Sequence, residues 1–330
     1  MALVVSVVVI GLLVAIPWLG VSALGLASFF GIVVPYAAAA LLVVGLVLKV
    51  LRWARSPVPF RVPTTCGQQR SLPWIKPARL DNPSTAWGVV GRMALEVVAF
   101  RSLFRNTRAQ LKEGGKTVYG PDKWLWAAAL AFHFSFLAIF VRHYRFFVEP
   151  VPAVVGWLQS LDGFFQVGVP VVYLTDLVIL AGLVFLFGRR LVDPRLRYIS
   201  LAADYLPLLV LGGVAVSGVL LRYFVKTDTV AVKDLAMSLV TFHPTVPDGL
   251  SPLFFVHVFL VSVLFAYLPF SKLSHLAGVF LSPMRNLANN NRMRHHRNPW
   301  NAPVNVHTYE EWEEEFHDKI KAAGLPLERE

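Results

Sequence analysis

The sequence predicts an all-α fold, a polytopic transmembrane helical bundle of about six helices. Three observations predict it. The 330 residues are 56% hydrophobic and only 15% charged, and long uncharged runs dominate the chain. Those runs have the length of membrane spans: Trp124 to Val141 is 18 residues without a charge, enough for one crossing. The basic residues, which give a formal net charge of +11, fall between the runs, as the positive-inside rule produces. That placement removes the nucleic-acid partner that such a charge would suggest in a soluble protein. The one cysteine, Cys66, excludes an intrachain disulfide, a Cys-ligated iron–sulfur cluster and a covalently attached c-type haem.

Taken in order, Met1 to Leu48 carries no charge, too long for one span and right for two. A turn within Pro17 to Gly25 divides it into spans near 2–20 and 26–50. No basic region precedes the first span, so it is expected to be a retained helix rather than a signal peptide. Residues 51–123 hold thirteen Lys or Arg against four Asp or Glu and form a cytoplasmic loop. Within that loop Val90, Met93, Val97, Phe100 and Phe104 recur at helical spacing among arginines. They predict an amphipathic helix, either lying on the membrane surface or docking a soluble subunit. Residues 124–282 form a core of four spans: 124–147, about 168–188, 201–223 and 252–275. Segments 148–167 and 224–250 lie outside, the latter with His243. The tail 283–330 is polar and returns to the cytoplasm, so both termini are cytoplasmic and the protein is a multi-pass plasma-membrane protein. Arg292 to Trp300, with His295 and His296, reads as solvated or facing a partner, and the acidic run EEWEEEFHDKI as a short exposed helix.

Four histidines give the spans a chemistry. His133 and His143 are ten residues apart on one span; His257 and His275 are eighteen apart on another. An ionisable group in hydrocarbon is costly and marks a functional site by default. Ten residues of helix rise about 15 Å and eighteen make five turns, so the last two rings leave one face. In antiparallel spans His133 meets His275 and His143 meets His257. Each pair can then ligate one haem iron through two imidazoles, giving two haem b groups. Arg142, Arg145 and Lys272 flank the quartet as partners for haem propionates.

The motifs HFSFLAIFVRH (133–143), GRRLVDPRLR (188–197) and VHVFLVSVLFAYLPFSKLSH (256–275) resemble the gamma subunit of respiratory nitrate reductase, over roughly residues 30–50 and 124–280. That family is a dihaem quinol cytochrome, and the four histidines fall on its ligand positions with the same spacings. One departure is Arg142, where that family has a small residue. A second is the lack of a counterpart to its quinone-site lysine in 148–167. The extra first helix, the stretch LDNPSTAWGVVGRMALEVVAFRSLFRNTRA and the tail SPMRNLANNNRMRHHRNPWN look like the DsrM family of membrane cytochromes b. They are similar also to the haem subunit of the archaeal Hdr-like menaquinol-oxidising enzyme. The resemblance implies menaquinone, a cytoplasmic iron–sulfur partner of the DsrK type, the other subunits of a DsrMKJOP complex, and, indirectly, the sulfur carrier DsrC. It implies a role in dissimilatory sulfite reduction.

Three function classes compete: an electron-transfer subunit working between menaquinol and a cytoplasmic acceptor, a proton-relay transporter, and a membrane anchor for soluble subunits. In the first, the resemblance places quinone beside His143, with Arg142, Asp176 and His243 the polar groups expected at that level. Asp176 lies inside an uncharged stretch. It is expected to accept a proton from quinol, to pair with Arg142 or Arg145, or to cap the structure near the interface.

Overall fold

A computed structural model describes residues 1–56, 68–105, 108–163, 171–290, 293–294, 303 and 306–328. Cys66 and nearly all of Arg292 to Trp300 lie outside these, as does the start of the predicted fourth span. Among the described residues, five helical stretches are long and apolar enough to cross a membrane: Ala2–Ser22, Phe29–Ala54, Lys123–Phe146, Ala202–Val225 and Pro252–Phe270. A sixth helix, Leu174–Val192, has the length but carries Asp176, Arg189 and Arg190. In lipid the backbone can satisfy its polar groups only within such helices. Their outward faces are accordingly apolar and open: Val8, Leu12, Val44, Leu48 and Val184 are all exposed.

The bundle begins with α1 (Ala2–Ser22) and α2 (Val34–Ala54), the latter entered through a π-helical turn, Phe29–Val33. Pro17 is buried within α1, and the chain reverses where Gly25 takes φ 66°, inside the stretch where the turn is expected. The polar loop then holds α3 (Ala86–Ala99) and α4 (Arg101–Phe104). Thr85 caps α3 by accepting from the Gly88 amide, worth about 1 kcal/mol. The single amphipathic helix expected here is broken at Phe100, which sits in the left-handed region at φ 48°. A hairpin absent from the sequence reading follows, β1 (Arg108–Leu111) against β2 (Thr117–Gly120).

Next come α5 (Lys123–His143), α6 (Ala153–Asp162), α7 (Leu174–Val192) and α8 (Pro194–Ile199). They are followed by α9 (Ala202–Val219), α10 (Thr229–Val240), α11 (Pro252–Tyr267), α12 (His275–Leu281) and α13 (Tyr309–Ala322). The segments expected to be plain outer loops thus contain α6 and α10. The last predicted span is interrupted as well. After α11 the chain makes two 3-10 turns, Leu268–Phe270 and Lys272–Ser274, with Ser271 extended between them. Its five continuous turns between His257 and His275 are therefore not present. Pro269 opens the break. Gly45 of α2 lets it close in, since a β-carbon there would meet Pro269 at 2.7 Å. Lys49 then donates to the freed Pro269 carbonyl at 2.7 Å.

Helix α5 packs on α7, α7 on α9, α9 on α11, and α11 on α1 and α2. Phe132, Ile179, Leu183, Val210, Leu211 and Leu264 fill one core; Phe30, Leu221, Leu235, Phe254 and Phe255 fill a second. Helices α5 and α11 do not pack closely on each other. They face across the histidines.

Candidate haem sites

The structure brings the four histidines into two pairs. The rings of His133 and His275 have centres 6.0 Å apart, nearly perpendicular at 78°. Those of His143 and His257 are 6.5 Å apart and near-parallel at 16°. Two imidazole nitrogens each about 2 Å from one metal, with ring centres about 1 Å further out, place the centres about 6 Å apart. Both pairs fit that spacing.

The hydrogen bonds orient the rings for the same purpose. Nδ1 of His133 donates to the Ala129 carbonyl at 2.7 Å, that of His143 to Ile139 at 2.7 Å, and that of His275 to Lys272 at 2.9 Å. A carbonyl only accepts, so the proton is on Nδ1 and the Nε2 lone pair is left free. For His257 the partner is Ser217 Oγ at 2.9 Å, whose own proton goes to the Val214 carbonyl. That hydroxyl therefore accepts, and His257 shares the tautomer. A second partner of this kind is the usual support of a metal-bound histidine. All four rings keep accessible surface: His143 and His275 are exposed, His133 and His257 half-buried. None of the four belongs to the buried core. Among the described residues no three or more His, Cys, Asp or Glu cluster to hold a metal ion. Two imidazoles suffice only where a porphyrin supplies four further nitrogens, so the residues fit haem and not a free ion.

Beside His143 lies a buried ionic cluster. Arg142 on α5 pairs with Asp176 of α7 at 2.7 Å and with Asp162 of α6 at 3.0 Å; all three are under 9% exposed. Tyr223 donates to the other Asp176 oxygen at 2.8 Å, and Thr175 to Asp162 at 2.6 Å. The Tyr173 ring lies between the guanidinium groups of Arg142 and Arg222, 3.8 and 4.1 Å from its centre. Of the arrangements expected for Asp176, the structure has the pairing with Arg142.

The proposed propionate partners are reduced by the same contacts. Arg142 is committed to two aspartates, and Lys272 donates to Asp204 at 2.7 Å. Arg145 lies over the Phe146 ring and makes no ion pair among the described residues. His243 bonds to its own turn, Nδ1 to the Thr241 carbonyl. Sequence reasoning missed Asp162, Tyr223 and Ser217. Asp162 had a signal: it is the one charge in the otherwise uncharged run Val151 to Thr175.

A family model for the nitrate reductase gamma subunit matches residues 84–295. The chain belongs to that family. The match begins ahead of α3, so it takes in the amphipathic part of the polar loop as well as the four core helices. Among curated relatives, the chain is 45% identical over 284 residues to the Hdr-like menaquinol oxidoreductase cytochrome b-like subunit of Archaeoglobus fulgidus, covering 84% of each. It is 43% identical over 273 residues to the protein of the same description in Archaeoglobus profundus, covering 81% of each. To the respiratory nitrate reductase 1 gamma chain of Escherichia coli it is 30% identical over 164 residues, 46% of this chain and 71% of that one. The family is one of helical membrane cytochromes b, in keeping with the apolar spans and the paired imidazoles.

Proposed function

We propose that this chain is the membrane dihaem cytochrome b subunit of a menaquinol-linked oxidoreductase, passing electrons between the quinone pool and a cytoplasmic iron–sulfur subunit. The observation that carries it is the double pairing of imidazoles at 6.0 and 6.5 Å, each ring with Nδ1 engaged and Nε2 free. When bound, two haem b groups would supply one-electron chemistry at two levels of the bundle.

The chain's own residues do the rest. His133 and His275 would hold the group nearer the polar loop, His143 and His257 the other. The backbone carbonyls and Ser217 fix the tautomer and plane of each ring. Arg145, the flanking cation without an ion pair among the described residues, is the candidate for a propionate carboxylate. Quinone is expected on the His143 side, where Arg142, Asp162, Asp176 and Tyr223 form the buried polar cluster. Asp176 would take up a proton there only by loosening its hold on Arg142.

The names of the archaeal relatives support the menaquinol assignment. The finer reading is a DsrM-type subunit with a DsrK-like partner, other DsrMKJOP components and, indirectly, DsrC, in sulfur metabolism. It rests on the loop and tail motifs.

A reduced-minus-oxidised spectrum with a pyridine haemochrome assay on the purified membrane protein tests the reading. Two b haems per chain, reducible by a menaquinol analogue, are expected. No haem overturns it in favour of an anchor or transporter.

A further inference from the structure

We propose that Phe100 is a positioning residue for the His133–His275 pair: the left-handed elbow between α3 and α4 presses its ring edge against the His133 imidazole and holds that ring across its partner's. The inference rests on the haem reading above.

The backbone makes the first point. Phe100 sits at φ 48°, ψ 46°, a region that a bulky residue rarely enters and that persists only where the surroundings enforce it. Glycine would adopt this turn freely, so what the position retains is the side chain. That side chain meets His133 edge-on, with centres 4.9 Å apart and planes at 89°. Phe132 meets the same imidazole at 5.0 Å and 82°. With Nδ1 tied to Ala129, one hydrogen bond and two aromatic neighbours restrain the ring. Edge-to-face contact of this kind is a preferred aromatic geometry.

The elbow is itself anchored. Trp126 of α5 donates its indole N–H to the Ala99 carbonyl at 2.7 Å. Glu96 accepts from the Ser102 amide at 3.0 Å and its hydroxyl at 2.6 Å, bridging the turn. Arg101 and Arg105 both reach Asp81, and Arg285 reaches Glu96. Phe100 thus joins the polar loop and the segment after α12 to one imidazole. Among the described residues the other pair has a looser surround: apart from His257, the aromatic neighbour of His143 is Phe146, at 5.9 Å and 63°, and the two imidazoles stay near-parallel.

The angle between axial imidazole planes is readable. In low-spin ferric haem, crossed rings leave two iron d orbitals nearly degenerate and give a large maximum g value; parallel rings split them and give a smaller one. The oxidised wild-type protein is therefore expected to show two electron paramagnetic resonance signals, the larger g belonging to the component lost in His133→Ala. Phe100→Gly keeps the elbow's backbone and deletes the ring. We expect it to retain two haems by pyridine haemochrome, with the larger g value moving toward the smaller and the other signal unmoved. Phe100→Tyr should restore the wild-type spectrum. An unchanged spectrum in Phe100→Gly, a joint shift of both signals, or failure of Phe100→Tyr to restore overturns the proposal. If Phe100→Gly loses that haem, Phe100→Leu is read in its place, and loss in all three variants overturns it too. A wild-type chain without haem overturns the haem reading along with this one. Two haems with a spectrum insensitive to Phe100 overturns this one alone.

Discussion

His143 and His257 sit on uninterrupted α-helix, whereas His275 follows two 3-10 turns and His133 faces a strained elbow. The far end is held by charge: Arg142, Asp162 and Asp176 tie three helices together out of reach of water. The loop end is held by broken backbone and by contacts open to solvent. Lys49 reaches the freed carbonyls, Lys272 pairs with Asp204 while 71% exposed, and Phe100 presses on His133. The same ligand chemistry is supported by two kinds of scaffold. A buried ionic cluster gives a rigid wall, because disturbing any member strands a charge in low dielectric. An elbow fastened by exposed pairs can yield, which suits the end that would meet a soluble partner.

The largest effect tests whether there are two ends at all. His143→Ala or His257→Ala should remove one haem and leave the other, and His133→Ala or His275→Ala the reverse, each dropping the stoichiometry from two to one. If His133→Ala and His257→Ala abolish the same spectral component, the pairing is wrong.

Next is the difference in rigidity. Arg142→Ala leaves two buried aspartates without a cation and should destabilise the protein by about 3–5 kcal/mol. Lys272→Ala, at an exposed pair, should lose only about 0–1 kcal/mol. Thermal unfolding in detergent compares them, and equal losses would erase the contrast. Asp176→Asn is the gentler probe, since Arg142 keeps Asp162. Both haem spectra should survive while reduction by a menaquinol analogue slows. A wild-type rate across pH would make Asp176 purely structural.

Sidedness is a third way to sharpen the comparison. The Asn289 amide N–H donates to the Pro83 carbonyl at 2.7 Å and its side chain to Asn82 at 2.7 Å. The polar loop and the segment after α12 therefore share one side of the bundle. With thirteen basic residues in 51–123, that side is expected to be cytoplasmic. Cys66 should resist an impermeant thiol reagent in intact cells and react once they are permeabilised. Labelling in intact cells reverses the orientation.

What was legible in the sequence follows the same division. The spans announce themselves because lipid demands long uncharged helices, and the histidine register follows from antiparallel spans. The break after Tyr267 was harder to see. Pro269 was visible, but only α2, with Gly45 and Lys49, makes a broken helix stable there. The elbow at Phe100 was hidden inside a regular apolar pattern, because periodicity reports faces and not a single left-handed residue. Ser217, Tyr223 and Asp162 each sit far in sequence from the residue they meet, and only packing brings them to His257, Asp176 and Arg142. The hairpin at Arg108–Gly120 had a hint in Gly114 and Gly115, both at positive φ, within the loop expected to hold only an amphipathic helix.

The smallest predicted effect bears on how easily the elbow yields. Partial burial tends to raise the Asp81 carboxyl's pKa, but hydrogen bonds from Arg105 and Arg101 and their charges outweigh it and leave it below the usual value. A carboxylate with a depressed folded pKa contributes stability that is present above its unfolded pKa, about 3.9. That contribution is lost as pH falls through the folded value. Asp81 pairs with half-exposed arginines, so solvent screening limits it to about 0–1 kcal/mol. Asp81→Asn should therefore lower the melting temperature slightly at pH 6, and the gap from wild type should close as the pH drops below about 4. Because Arg101 follows Phe100 directly, the same variant should loosen the clamp on His133 and leave the His143 side untouched. A gap that persists unchanged at low pH would mean that Asp81 acts through shape rather than charge, and the elbow would then be as rigid as the far end.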